Sequence, residues 1–163
     1  ADDQEKLALI ESQLQDATQI ICDIYSRFRF EKSVFEKRPE EFMHADTLCG
    51  LMTDAQKASY GDGLDPQTLH PYMWVCKSHY YGPTYYNFPY AFGGLFARGL
   101  YAQYEKEGAS FIPKYTKLLY TTPVASAEDV AKVADIDLTD KAFWRGALQT
   151  IADQIDLFCE LVK

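Results

Sequence analysis

Apolar residues recur at three- and four-residue steps through the first quarter of this chain: Leu7, Ile10, Leu14, Ala17, Ile21, Ile24 and Phe28. That spacing puts them on one face of a single long helix, read from about residue 2 to residue 36. Glu5, Glu11, Gln15, Gln19 and Arg27 then fall on the opposite, polar face. The stripe runs for only about three heptads, so it reads as one helix of a bundle rather than as a coiled coil. Pro39 ends or interrupts the helix, because proline lacks the amide that the next turn needs.

The same period returns further on. Leu48, Leu51, Met52 and Ala55 predict a helix over residues 46–59. Gly61, Asp62, Gly63, Asp65 and Pro66 predict a loop, since these residues punctuate regular structure. A short helical piece is expected at 71–77 and a turn at 80–83, which holds Gly82 and Pro83. Asn87 reads as an N-cap with Pro89 in the first turn of a helix that Gly108 closes. Gly93 and Gly94 sit inside that helix, where a glycine is costly. They point to close approach of a backbone or ligand, or to tight helix packing. Residues 111–120 and 127–134 predict two shorter helices, the second opened by Ser126 and Asp129. A final helix starts near Asp140, with Trp144, Leu148, Ile151, Ile155, Phe158 and Val162 along one stripe. No run alternates at period two for long. The expected class is all-α, a multi-helix bundle, with residues 1–163 forming one helical domain.

A 163-residue chain with 47% apolar residues has enough material for a core. Its net charge of −8 offers no basic stripe for phosphates, which argues against nucleic acid and anionic membrane surfaces as partners. Cys22, Cys49, Cys76 and Cys159 form no Cys-x-x-Cys pair. They read as free, mostly buried thiols in a cytoplasmic protein. The first residues read as a helix already under way rather than as a signal peptide, as in a chain cut from something longer.

Chemistry concentrates between His70 and Gly99, which hold two of the three histidines and half of the twelve tyrosines. Buried phenols need partners for their hydroxyls. Elsewhere the usual signatures are missing. No two histidines stand four apart to grip zinc, no Cys/His cluster exists, and there is neither a Gly-x-Ser-x-Gly elbow nor a Gly-rich phosphate loop. His79 precedes the Gly82–Pro83 turn, and Tyr85, Tyr86 and Tyr90 lie at the foot of the following helix, with Tyr86 and Tyr90 four apart on one face. A histidine and phenols converging there could donate hydrogen bonds to an oxyanion. Aromatic packing with satisfied hydroxyls is the other reading.

The run Tyr85-Tyr86-Asn87-Phe88-Pro89-Tyr90-Ala91-Phe92-Gly93, with Leu95-Phe96-Ala97 and Leu100-Tyr101-Ala102 after it, resembles the signature of the oligoendopeptidase F family. These are zinc metallopeptidases related to thimet oligopeptidase. Asp16-Ala17-Thr18, Ile24-Tyr25-Ser26-Arg27-Phe28, the run Tyr60-Gly61-Asp62-Gly63-Leu64-Asp65, His70-Pro71-Tyr72-Met73-Trp74 and Phe143-Trp144 resemble the same family. The resemblance implies the C-terminal part of a zincin-like helical fold with a channel for short peptides. The family's zinc motif, His-Glu-x-x-His with a further Glu, is absent here. The zinc of the complete enzyme would therefore have its ligands outside this chain, and the chain alone would bind none.

By position the resemblance makes His79 a substrate-binding residue and Tyr86 and Tyr90 the oxyanion or substrate tyrosines. Tyr85 and His70 are further substrate-binding candidates, with a structural role favoured for His70. Gly94 stands where many members carry another tyrosine. The expected partners are short peptides and either the missing zinc-bearing portion or a second copy of this chain. The alternative function is a non-catalytic helical module that binds peptides or proteins.

Overall fold

The computed structural model describes residues 2–163, all helix and connection, with no strand among them. In chain order the helices are α1 (Asp3–Thr18), α2 (Ile24–Lys37), α3 (Ala45–Tyr60), α4 (Met73–Cys76), α5 (Phe88–Glu107), α6 (Ile112–Thr121), α7 (Ala127–Lys132) and α8 (Lys141–Leu161). A π-helical turn joins α1 to α2 at Gln19–Asp23, and 3-10 turns occupy Ser78–Tyr81 and Gly108–Phe111. The all-α expectation holds. Two compact units are distinguished, one of Gln15–Phe92 and one of the residues up to Leu14 with Gly93–Lys163.

The first predicted helix is helical throughout, but not in one register. The amide of Ile24 donates to the carbonyl of Gln19, an i to i+5 bond. One extra residue per turn rotates everything after it. Phe28, placed inward by a strict 3.6 period, is only half-buried, while Ser26, Arg27, Phe30 and Glu31 are buried. Arg27 therefore lies on the inner face and not, as its spacing predicted, on the polar one.

In the unit of Gln15–Phe92, α2 packs on α3. Phe30, Met52 and Ala55 form its core, with Val34, Leu48, Leu51, Met73, Trp74 and Tyr80 around them. Helix α3 stops at Gly61, whose amide still donates to the Lys57 carbonyl at 3.0 Å while its φ of 57° turns the chain out of the helix. Few other residues adopt that conformation without strain.

In the second unit Leu100, Phe111, Leu118, Val130, Ala131, Ala134 and Ile136 make the core, with Phe96 and Phe143 against it. Local signals are met here. Gly108 closes α5 at φ 63°. The Ser126 side chain accepts from the Asp129 amide at 3.2 Å and donates to its carboxylate at 2.9 Å. Asp140 Oδ1 accepts from the Ala142 amide at 2.8 Å to open α8. The stripe of α8 is only partly covered. Ala147 is fully buried and Trp144, Ile151 and Phe158 are half-buried, but Leu148, Ile155 and Val162 are exposed. Periodicity records a face, and what covers that face is a tertiary matter.

Gly93 has open space around it, whereas Gly99, further along the same helix, is pressed by the ring of Phe143. The thiols are free, but Cys76 and Cys159 are exposed and Cys22 and Cys49 half-buried. "Mostly buried" is thus corrected for the cysteines. Among the described residues no helix is long and apolar enough to cross a membrane.

Candidate functional site

The aromatic segment is short-range structure with no long helix to align it until Phe88. In a 3-10 turn successive side chains fan out at about 120°, and the turn Ser78–Tyr81 uses this. Tyr80 points inward onto Phe30, with ring centroids 5.1 Å apart. Tyr81 lies outward, its hydroxyl donating to the Trp74 carbonyl at 3.0 Å. His79 faces the start of α5.

There it meets two tyrosines. His79 Nε2 stands 3.3 Å from the Tyr90 hydroxyl. The His79 ring stacks on Tyr86 at 5.7 Å and meets Tyr90 edge-on at 5.7 Å, while Tyr86 and Tyr90 are 5.8 Å apart edge-to-face. These three residues form a closed aromatic triangle. Both phenol-bearing residues remain exposed, Tyr86 at 47% and Tyr90 at 43%, so the triangle is a surface. The side-chain hydrogen bond with Tyr86 first, and burial second, raise the Tyr90 phenol above its ordinary range. Like any phenol, it is a hydrogen-bond donor as well as an acceptor. His79 Nδ1 is buried with no partner.

Tyr85 does not join the triangle. It has a φ of 55°, a left-handed conformation that few bulky residues adopt. Its ring is turned onto α2, 5.8 Å from Phe28 and 5.2 Å from Phe35. His70 stands elsewhere, exposed, and what it contributes is backbone. Its amide donates to Gln56 Oε1 at 3.1 Å and its carbonyl accepts from Gln56 Nε2 at 2.9 Å.

Charge also lies beneath this surface, where the periodicity placed none. Asp23 and Arg27 pair, one turn apart, with Arg27 4% exposed. One turn further Glu31, also 4% exposed, accepts from the Tyr85 amide at 2.9 Å and from Asn87 Nδ2 at 3.5 Å. Asn87 has no exposed surface, and Phe88 begins α5 as an N-cap at Asn87 predicts, yet the Asn87 amide is spent on Glu31. The one signal for this row was the four-residue spacing of Asp23, Arg27 and Glu31. Read alone, such spacing describes a solvated ion-pair face equally well.

Chemically, the triangle presents neutral hydrogen-bond donors beside flat aromatic faces. That suits an extended peptide carbonyl or the charge that grows on it. Among the described residues no group of three or more His, Cys, Asp or Glu is placed to hold a metal ion.

No protein-family model matches this chain, and no solved structure matches it. Among curated proteins it is similar to "Oligopeptidase PepF" of Bacillus subtilis (strain 168), at 28% identity over 134 residues. That similarity covers 82% of this chain but 20% of the relative. The chain thus spans about a fifth of the length of the protein it resembles.

Proposed function

We propose that this chain is the C-terminal, substrate-contacting segment of a zinc-dependent oligopeptidase, acting on short peptides in the cytoplasm. The observation that carries the reading is the triangle of His79, Tyr86 and Tyr90, two of whose members show their phenols to solvent. The similarity to part of a curated oligopeptidase supports it. In this reading the Tyr86 and Tyr90 hydroxyls hydrogen-bond the substrate's carbonyl, and His79 binds substrate and orients Tyr90. The metal of the complete enzyme is held by residues outside this chain, so the chain alone does not hydrolyse peptides.

The second reading, a non-catalytic helical module that binds peptides or proteins, is favoured by a different place. An apolar groove of about 450 Å³ runs between α5 and α6, lined by Leu100, Tyr101, Tyr104, Phe111, Ile112 and Tyr115. Nuclear magnetic resonance separates the two. Titration with short, unstructured peptides should shift the side-chain signals of His79, Tyr86 and Tyr90. Shifts confined to Tyr101, Tyr104 and Tyr115 would overturn the first reading in favour of the second.

A further inference from the structure

Tyr86 lies between two pieces of regular structure, after the turn Ser78–Tyr81 and before α5 at Phe88. Gly82, Pro83 and Thr84 ahead of it are exposed. Something other than helical hydrogen bonding must aim it. Both of its chain neighbours are tied to one buried side chain, Glu31: the Tyr85 amide to Oε1 and the Asn87 side-chain amide to Oε2.

The carboxylate of a residue only 4% exposed needs compensation. Among the described ion pairs none involves Glu31, and Arg27 one turn away is paired with Asp23. The partners of Glu31 in hydrogen bonding are the loop groups at 85 and 87. A non-glycine residue at φ 55° persists only where its surroundings over-determine it. At Tyr85 those surroundings are the Glu31 bond and the ring packing on Phe28 and Phe35. The left-handed residue turns the chain immediately before Tyr86, and the held Asn87 precedes the first residue of α5, which carries Tyr90.

We propose that Glu31 is a positioning residue whose two carboxylate oxygens hold the turn at Tyr85 and Asn87, and so set Tyr86 and Tyr90 against His79. Its functional consequence, altered peptide contact, rests on the reading of the triangle given above. The positioning itself does not.

The test begins with the wild-type chain. The Tyr85 amide, in an otherwise exposed turn, should exchange about tenfold to a hundredfold slower than an unstructured amide, as a bond to a charged acceptor provides. Exchange at the unstructured rate overturns the proposal without any variant, including where a variant fails to fold. In Glu31→Ala, with helicity by circular dichroism retained, the ring-to-ring cross-relaxation between His79 and Tyr90 should be lost. Glu31→Gln should restore it. Its amide oxygen still accepts from Tyr85, and the Asn87 amide can turn over so that Oδ1, unpartnered in the wild type, accepts from the new Nε2. Cross-relaxation retained in Glu31→Ala, or lost equally in Glu31→Gln, overturns positioning by hydrogen bonds. Short-peptide titration of the same proteins reads the other question. Lost His79–Tyr90 contact with undiminished peptide binding upholds the positioning and refutes the triangle as the peptide's contact.

Discussion

The ring of Phe143 on α8 lies so close over the Cα of Gly99 on α5 that a methyl group there would stand 2.5 Å from Cε2 and nearer still to Cζ. Real Cβ contacts do not come this close, and Phe143 is itself held between Phe96 at 5.8 Å and Trp144 at 5.1 Å. Gly99→Ala should therefore destabilise the protein by about 1–3 kcal/mol, the usual cost of overpacking. Phe143→Leu should recover part of that in the double variant. Urea denaturation with a double-mutant cycle checks both, and an unchanged midpoint for Gly99→Ala would contradict the packing described.

A second expectation concerns the buried pair beneath the triangle. Arg27→Met removes the partner of Asp23 while keeping most of the apolar volume. Breaking a buried pair from one side typically costs about 3–5 kcal/mol, because a charge is left without compensation. Asp23 keeps some exposure, its side chain being 18% accessible, which puts the cost at the lower end. The double variant Asp23→Asn/Arg27→Met should be more stable than Arg27→Met alone. Equal stability of the two would show that the pair is not coupled.

These two cases show which parts of the structure were legible in the sequence. Ser126 with Asp129, Asp140 and Gly108 were readable because a cap is satisfied within three residues of itself. The helices followed from apolar spacing, since burial on one face is what makes a helix stable in water. Arg27 and Glu31 were not readable. A single i to i+5 bond at Gln19–Ile24 rotated the stripe, and no local pattern announced it. Gly93 and Gly94 were singled out and Gly99 was not, because only the partner across the core, Phe143, makes Gly99 a pressed position. His79, Tyr86 and Tyr90 were found together because Tyr86 and Tyr90 share a face by spacing. Tyr85 was grouped with them because sequence adjacency carries no sign of its positive φ.

Thiol chemistry gives a third outcome. Cys76 and Cys159 are exposed, while Cys22 and Cys49 are half-buried, and burial raises the Cys22 thiol above its ordinary range. Reactivity follows the thiolate and its access. Under native conditions two thiols per chain should react quickly with a thiol-specific reagent, Cys22 should be slow, and denaturant should release all four. Mass spectrometry of the native reaction assigns them. Four equal rates would contradict the burial.

Alkaline pH offers a fourth. Burial, with Asp23 adding to it, pushes the Tyr60 phenol from 10.0 up to about 12. Burial, ahead of all other causes, also raises the Tyr80 phenol. Each folded-state group holds its proton more tightly than the unfolded chain does. The stabilisation is therefore fully present below pH 10 and is lost as pH rises through about 12. Tyr60 is partly open to water, so its share is small. Unfolding midpoints should fall between these pH values, and Tyr60→Phe should flatten part of the fall. A midpoint that rose over this range would reverse the sign of the argument.

The last outcome tests the triangle within the proposed oligopeptidase, assembled from this segment and its metal-bearing complement. Tyr86→Phe and Tyr90→Phe each delete one hydroxyl and leave the ring contacts at 5.7–5.8 Å in place. A donor aimed at charge that develops only in the transition state typically contributes about 10²–10³ in kcat when removed. Such a loss appears equally in kcat and kcat/KM, whereas a hydroxyl that merely binds substrate raises KM. Tyr90 should show the first pattern, because its hydroxyl is the one placed by His79 Nε2, at 3.3 Å. In kcat, His79→Ala should then cost less than Tyr90→Phe, and the two together little more than Tyr90→Phe alone, since orientation of a phenol has nothing left to act on once the hydroxyl is gone; the direct substrate contact of His79 should appear separately, as a raised KM. Metal content measured alongside must stay constant for the comparison to bear on the donors. Full turnover in all three variants would mean that the triangle is packing and that peptide contact lies elsewhere.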